Sequence, residues 1–270
     1  MLVARVSRPA RLGYARPVMI AFLREVSPRL AACELSFLER APIDVERARA
    51  QHAHYAAELT ALGCSIEWLA PLPANADAVF VEDTAVVLPE LAVITRPGVA
   101  SRRGEVESVA ASLATHRPLK RITAPGTLEG GDVVRIGRNL YVGDSARSNA
   151  AGIGQLRETL APFGYRVTSV AMRDCLHLKS AVTFIPPDVV LVNPAWVDPK
   201  VFDARTVVEV DPGEAFAANT LSVAGVTLMS AAFPRTEARL GQAGVTTRAL
   251  DVSELQKAEA ALTCMSLMLV

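Results

Sequence analysis

The chain has 270 residues, about half of them hydrophobic, which suits one large domain or two small ones and excludes global disorder. Lys plus Arg equals Asp plus Glu at 28 each, so charge gives no reason to expect nucleic acid or an anionic membrane as partner. Four cysteines, at positions 33, 64, 175 and 264, form no C-x-x-C pair and no metal-ligand spacing, which predicts reduced thiols in a cytoplasmic protein. No apolar run approaches the roughly 18–20 residues of a membrane helix. The arginines scattered through residues 1–22 leave no clean signal-peptide core.

In chain order, residues 2–6 alternate loosely as a first strand, and residues 7–25 mix Pro, Gly and Arg into a loop or lid with a short helical piece. Asp44 caps a helix in which Val45, Ala48, His52, Tyr55, Leu59 and Leu62 recur at helical steps before Gly63. Residues 64–69 and 79–81 read as strands, and residues 84–88 and 92–95 as a hairpin. A helix over 105–115 and a strand over 119–122 follow. The pattern then repeats: hairpin 133–136/140–142, helix from Ser148 or Asn149 to Phe163, strand 166–171. Next come hairpin 182–185/189–192 and strand 206–210, then hairpin 221–223/227–229, helix 236–244 and strand 246–250. A helix capped by Ser253 runs to Ala261, and Cys264 starts a last strand. With no linker-like shift in composition, residues 1–270 read as a single α/β domain with mixed strands.

Five polar clusters punctuate this pattern, each opening onto a strand-like run: Glu82-Asp83, Glu129-Gly130-Gly131-Asp132, His177-Leu178-Lys179-Ser180, Asn219-Thr220 and Thr263-Cys264. Successive clusters lie forty-odd residues apart, a quasi-period that suggests repeated supersecondary units. Arranged about an axis, the five strand starts would bring carboxylates, a histidine and a cysteine into one pocket.

The chemistry of these residue types follows. Cys264 is the candidate nucleophile, since a thiolate attacks carbon when its pKa is lowered or a base is near. His177 is the candidate acid and base, the one histidine of four that precedes a hairpin in the repeat. Glu82, Asp83, Glu129 and Asp132, with Asp77 upstream, need a cationic partner if buried. That partner is either a protein arginine or a planar cation such as guanidinium, which carboxylates grip in bidentate fashion. Arg102 and Arg147 lie in loops and suit a substrate carboxylate, although each taken alone reads first as a solvated surface arginine.

Taken together, Phe80-Val81-Glu82-Asp83-Thr84, Ile94 to Gly98 and on through Arg103, and Leu128-Glu129-Gly130-Gly131-Asp132 are similar to motifs of dimethylarginine dimethylaminohydrolases. So are Tyr141-Val142-Gly143 with Arg147-Ser148-Asn149, Leu176 to Lys179, Ala218-Asn219 and Thr263-Cys264-Met265-Ser266-Leu267, all in that family's order from residue 44 onward. The resemblance implies the pentein fold, a five-bladed α/β propeller, and hydrolysis of asymmetric dimethylarginine to citrulline and dimethylamine. It implies Cys264 as nucleophile, His177 as general acid and base, and Glu129 as the acid that orients His177 or holds the guanidinium. Asp77 and Asp83, with Glu82, would hold the guanidinium; Arg102 and Arg147 the α-carboxylate; and the Ala258 carbonyl the α-amino group. After Ala258 the family usually has Asp-Gly, whereas Glu259-Ala260 stands here. The implied mechanism needs no metal or cofactor, and the implied partner is a small molecule. Oligomeric state stays open, a homodimer included. The competing readings are a hydrolase of another substituted arginine such as Nω-hydroxyarginine, an amidinotransferase, and a non-catalytic methylarginine-binding protein.

Overall fold

The computed structural model describes residues 19–269 and contains fifteen strands in five three-stranded sheets. The first sheet takes β1 (Ile20–Leu23) in its centre, with β2 (Ser65–Trp68) parallel to it on one side. Helix α1 (Val45–Ala61) is the crossover between them. The second sheet is β3 (Ala85–Val87), β4 (Ala92–Ile94) and β5 (Leu119–Arg121), crossed by α2 (Val106–Leu113). The third is β6 (Val133–Ile136), β7 (Asn139–Asp144) and β8 (Arg166–Ala171), crossed by α3 (Ala150–Leu160). The one-turn helix α4 (Leu178–Ala181) leads into the fourth, β9 (Val182–Ile185), β10 (Val189–Val192) and β11 (Thr206–Glu209). The fifth is β12 (Leu221–Val223), β13 (Val226–Ser230) and β14 (Thr247–Leu250), crossed by α5 (Pro234–Gln242). A short helix, α6 (Ser253–Gln256), leads to β15 (Leu267–Leu269), which pairs antiparallel with β1 and completes the first sheet.

Each sheet has one topology: an antiparallel pair, then a parallel strand reached by a crossover. The first strands of neighbouring sheets touch, β15 on β3, β6 on β9 and β9 on β12, so they form an inner ring with the helices outside. This is a five-bladed α/β propeller. Among the described residues no helix is long and apolar enough to cross a membrane.

The sequence explains the local elements. Asp44 accepts the Arg47 N–H at the start of α1, and Gly63, at φ +93, lets the chain leave it. The inner face of α1 buries Ala48, Tyr55 and Leu59 in full. Removing Leu59 to Ala would cost about 2–5 kcal/mol through lost transfer energy and cavity. The Tyr55 hydroxyl contacts Leu262 O at 2.9 Å and Ser266 Oγ at 2.8 Å, which ties α1 to the segment carrying Cys264.

Several expectations change. The strand expected at residues 2–6 lies outside the described residues. The loop expected over residues 7–25 contains β1, because the apolar run Ile20 to Leu23 fills the slot between β2 and β15. Residues 79–81 are not a strand, and Val81–Thr84 is a 3-10 turn. The helix from Ser253 stops at Gln256, and Ser253 is its first residue rather than its cap. Cys264 sits in a 3-10 turn, Thr263–Met265, just ahead of β15. In the two turns Val81–Thr84 and Thr263–Met265, local bonds to the turn's first carbonyl, from the Thr84 hydroxyl to Val81 O and from the Ser266 N–H to Thr263 O, displace the extended backbone that the apolar neighbours suggested.

Candidate active site

All five polar clusters sit just ahead of the innermost strands, so the propeller delivers them to one end of its axis. Two glycines make the close approach feasible. A Cβ on Gly130 would lie 2.0 Å from Glu82 O, and one on Gly131 would lie 2.7 Å from His177 Nδ1 and 2.8 Å from Asp83 Oδ1.

His177 precedes α4 in extended conformation, and its Nε2 lies 2.7 Å from Glu129 Oε2 and 3.8 Å from Asp83 Oδ1. Glu129 is fully buried; its Oε1 accepts the Gly98 N–H at 3.0 Å and its Oε2 also lies 3.4 Å from Arg147 Nη1. Behind them, Asp132 accepts the Leu178 N–H at 3.0 Å and the Ser148 hydroxyl at 2.6 Å, while Ser148 Oγ accepts the Glu129 N–H at 3.0 Å. Asp132 thereby fixes both the backbone beside His177 and the backbone of its partner. Burial alone would lower the His177 pKa, but Asp83, Glu129 and Asp132 outweigh it and raise it to about 9.

Asp83 accepts the Gly131 N–H at 3.0 Å on one oxygen and Arg102 Nη1 at 2.6 Å on the other. Burial favours its neutral form, but His177 and Arg102 prevail and hold it down at about 2. Arg102 also donates to Glu105 at 2.9 and 3.1 Å, to Phe80 O at 2.8 Å and to Asp77 O at 3.3 Å. It is a buried strut for Asp83, with most of its five N–H groups committed inward. Arg147 is looser: besides Glu129, its Nη2 donates to Ser36 Oγ at 3.3 Å. Asp77 accepts the Glu34 N–H at 3.2 Å, and burial raises its pKa.

Cys264 is half-buried, and its Sγ accepts the Ala261 N–H at 3.4 Å. Burial first, then Glu82 and Asp83, push the thiol up to about 12. The preceding Thr263 is held on three sides. Its N–H and hydroxyl meet the Asn219 amide at 3.0 and 2.9 Å, and the hydroxyl donates to Glu82 at 2.6 Å. Asn219 therefore serves the site through the backbone of the cysteine loop.

A small pocket of about 20 Å³ is lined by Asp77, Asp83, Arg102, Arg147, His177, Ala258 and Cys264 among others. Glu129 stands behind His177. Glu82, expected beside Asp83 at the guanidinium, instead pairs with Lys179 Nζ at 2.5 Å and faces a separate cavity. The tight turn that carries both acids sends them to different sides. Sequence reasoning missed Glu105, whose only signal is its position three residues after Arg102. It also missed Arg24, which is fully buried and holds Ala70 O and Ala78 O around the loop that presents Asp77. One ligand atom each from Asp83, Glu129 and His177 lies within 4.8 Å of the others, so this trio has the spacing to hold a metal ion.

The chain matches no protein-family model. It is 38% identical over 255 residues to an N(G),N(G)-dimethylarginine dimethylaminohydrolase of Streptomyces coelicolor, covering 94% of this chain and 98% of the relative. The chain belongs to the dimethylarginine dimethylaminohydrolase family. A Pseudomonas aeruginosa member is 34% identical over 226 residues, 83% of this chain and 89% of that one. A solved structure of the Pseudomonas aeruginosa enzyme, a cysteine-to-serine mutant complexed with citrulline, superposes with a TM-score of 0.87 at 30% identity, covering 93% of this chain and all of that one. A histidine-to-glycine variant of a dimethylarginine dimethylaminohydrolase, as its adduct with S-methyl-L-thiocitrulline, also gives 0.87, at 31% identity over 92% of this chain and 98% of the other. The N-terminal domain of a cyanobacterial arginine dihydrolase shares the fold, with a TM-score of 0.78 at 18% identity over 93% of this chain and 97% of the other.

Proposed function

We propose that this chain hydrolyses asymmetric dimethylarginine to citrulline and dimethylamine through a covalent intermediate on Cys264. The observation that carries the reading is one pocket with a thiol, an imidazole held at 2.7 Å by a buried glutamate, the carboxylates of Asp77 and Asp83 and the guanidinium groups of Arg102 and Arg147. Family membership and the citrulline and thiocitrulline complexes of its relatives support the same substrate class.

In this reading Asp83 and Asp77 receive the cationic guanidinium, and Arg147, with the charge of Arg102 behind it, receives the α-carboxylate. The carbonyl of Ala258 faces the α-amino group. The free enzyme rests with a neutral thiol and a protonated imidazole, since Cys264 is pushed up to about 12 and His177 to about 9. The arriving guanidinium opposes the negative field of Asp83 and favours the thiolate, the thiol proton passing to solvent. The thiolate forms an S–C bond at the guanidinium carbon. His177 gives its proton to the departing nitrogen, the C–N bond breaks and dimethylamine leaves. Neutral His177 then takes one proton from water, whose oxygen attacks the amidino-thioether carbon; the S–C bond breaks, the second water proton passes to the departing sulfur, and citrulline forms with the Cys264 thiol regenerated. Glu129 holds the imidazole in place through both steps. The sequence of steps asks for no metal or cofactor.

All five blades contribute to this one site, directly or through support, which favours a single hydrolase domain over residues 1–270. The four cysteines are free, in keeping with a reducing, cytoplasmic setting. The deciding assay measures citrulline and dimethylamine from asymmetric dimethylarginine beside arginine and Nω-hydroxyarginine. Product from the first alone fixes the assignment. A preference for Nω-hydroxyarginine keeps the mechanism and changes the substrate, and product from none removes the reading.

A further inference from the structure

Glu259 lies just past α6 at a backbone position that ordinarily favours glycine. Its N–H donates to Gln256 O at 3.1 Å and the Ala260 N–H to Leu255 O at 3.3 Å, the paired bonds of a helix end that turns through a left-handed residue. Glu259 supplies that residue at φ +58, a conformation that L side chains rarely adopt.

Its carboxylate is fully engaged. Oε1 accepts the N–H groups of Ser36 at 3.0 Å, Phe37 at 2.5 Å and Leu38 at 2.6 Å, and Oε2 accepts that of Ser36 at 3.0 Å. Three successive amides converging on one anion form a nest. The nest belongs to a segment beside the reaction pocket: Glu34 lines that pocket, Ser36 accepts from Arg147, and Phe37 and Leu38 line the adjoining cavity that also reaches Cys264. Glu34, Ser36 and Phe37 are exposed while Leu35 packs against the core, so polar bonds hold the exposed part of the segment.

Those bonds are of two kinds. The Glu34 N–H rests on Asp77, and Arg147 donates to the Ser36 hydroxyl. A ligand's polar groups arriving at Asp77 or Arg147 compete for both. The Glu259 nest uses neither Asp77 nor Arg147.

We propose that Glu259 is a positioning residue, a latch that holds residues 36–38 beside the pocket, so that substrate is admitted and product released when its bonds open. The pocket's identity as the methylarginine site rests on the function proposed above; the latch itself does not. The test compares wild type with Glu259→Gly and Glu259→Gln by amide hydrogen exchange and citrulline kinetics. Glycine fits the left-handed turn, so Glu259→Gly keeps or raises the melting temperature while the amides of residues 36–38 exchange at least tenfold faster. KM for dimethylarginine rises several-fold and kcat stays within about twofold. Glu259→Gln, of the same length but neutral, falls between. Unchanged exchange at residues 36–38 in Glu259→Gly, or acceleration spread evenly over the chain, overturns the latch. Should dimethylarginine not be turned over at all, the exchange data still decide the latch, and the fault lies with the substrate assignment.

Discussion

Glu82 and Asp83 are consecutive acids in one tight turn, yet Glu82 bonds Lys179 and Thr263 while Asp83 bonds Arg102 and Gly131 beside His177. One acid supports the cysteine loop from behind and the other sets the field in front. Lys179→Met leaves Glu82 buried without its cation, and we expect a loss of about 3 kcal/mol in urea unfolding. Adding Glu82→Gln to it recovers most of that loss. Equal stability of the single and double variants would show that the pair is not coupled.

Cys264→Ser keeps the shape of the turn Thr263–Met265 and removes the nucleophile. Citrulline formation is expected to fall at least about a thousandfold, with the melting temperature within a few degrees of wild type. Near-full activity in this variant would transfer the role elsewhere.

The carboxylates around His177 predict a pH dependence of stability. Its folded-state pKa is raised from 6.5 to about 9, so its contribution is complete below pH 6.5 and is lost as pH rises through 9. Asp83 is lowered from 3.8 to about 2, so its contribution is present above pH 3.8 and lost as pH falls through 2. Unfolding free energy is therefore expected to drop by about 2–3 kcal/mol between pH 6 and pH 9 in wild type, and much less in His177→Gln. A flat profile in wild type would mean that the imidazole is not charged in the folded state.

Much of this arrangement was legible beforehand because the residues were punctuated. The five polar clusters sit where the quasi-period placed them, and hairpins such as β6/β7 and the capped helix α1 follow their alternation and capping signals. What was not legible depends on contacts remote in sequence. The run Ile20 to Leu23 is a strand because β2 and β15 flank it, and nothing within residues 7–25 says so. Glu82 and Asp83 look equivalent as letters and are separated by the direction in which a turn points them. Arg24 and Glu105 carry no motif, and their importance lies in the carbonyls and guanidinium they hold.

Gly131 is expected to resist even the smallest side chain. A methyl there meets His177 Nδ1 at 2.7 Å and Asp83 Oδ1 at 2.8 Å, closer than van der Waals contact allows. Gly131→Ala should lower kcat by one to two orders of magnitude by displacing the imidazole, and destabilise by about 1–3 kcal/mol. Gly154→Ala on α3, where nothing lies within 4 Å, is the control and should leave activity unchanged.

Tyr55→Phe removes the hydroxyl that bonds Leu262 O and Ser266 Oγ on either side of the cysteine turn. We expect a loss of about 1–3 kcal/mol from the groups left unpaired, together with reduced kcat. A stability loss with unaltered kcat would show that the cysteine turn holds its shape without α1.

The first sheet joins β1 to β15, segments from opposite ends of the described chain, and the nucleophile comes just before β15. During synthesis the other four sheets have all their strands before the first sheet gains β15. The thiol reaches its partners only with the strand that closes the circle. A nascent chain therefore carries the imidazole and its carboxylates well before it carries the group they serve.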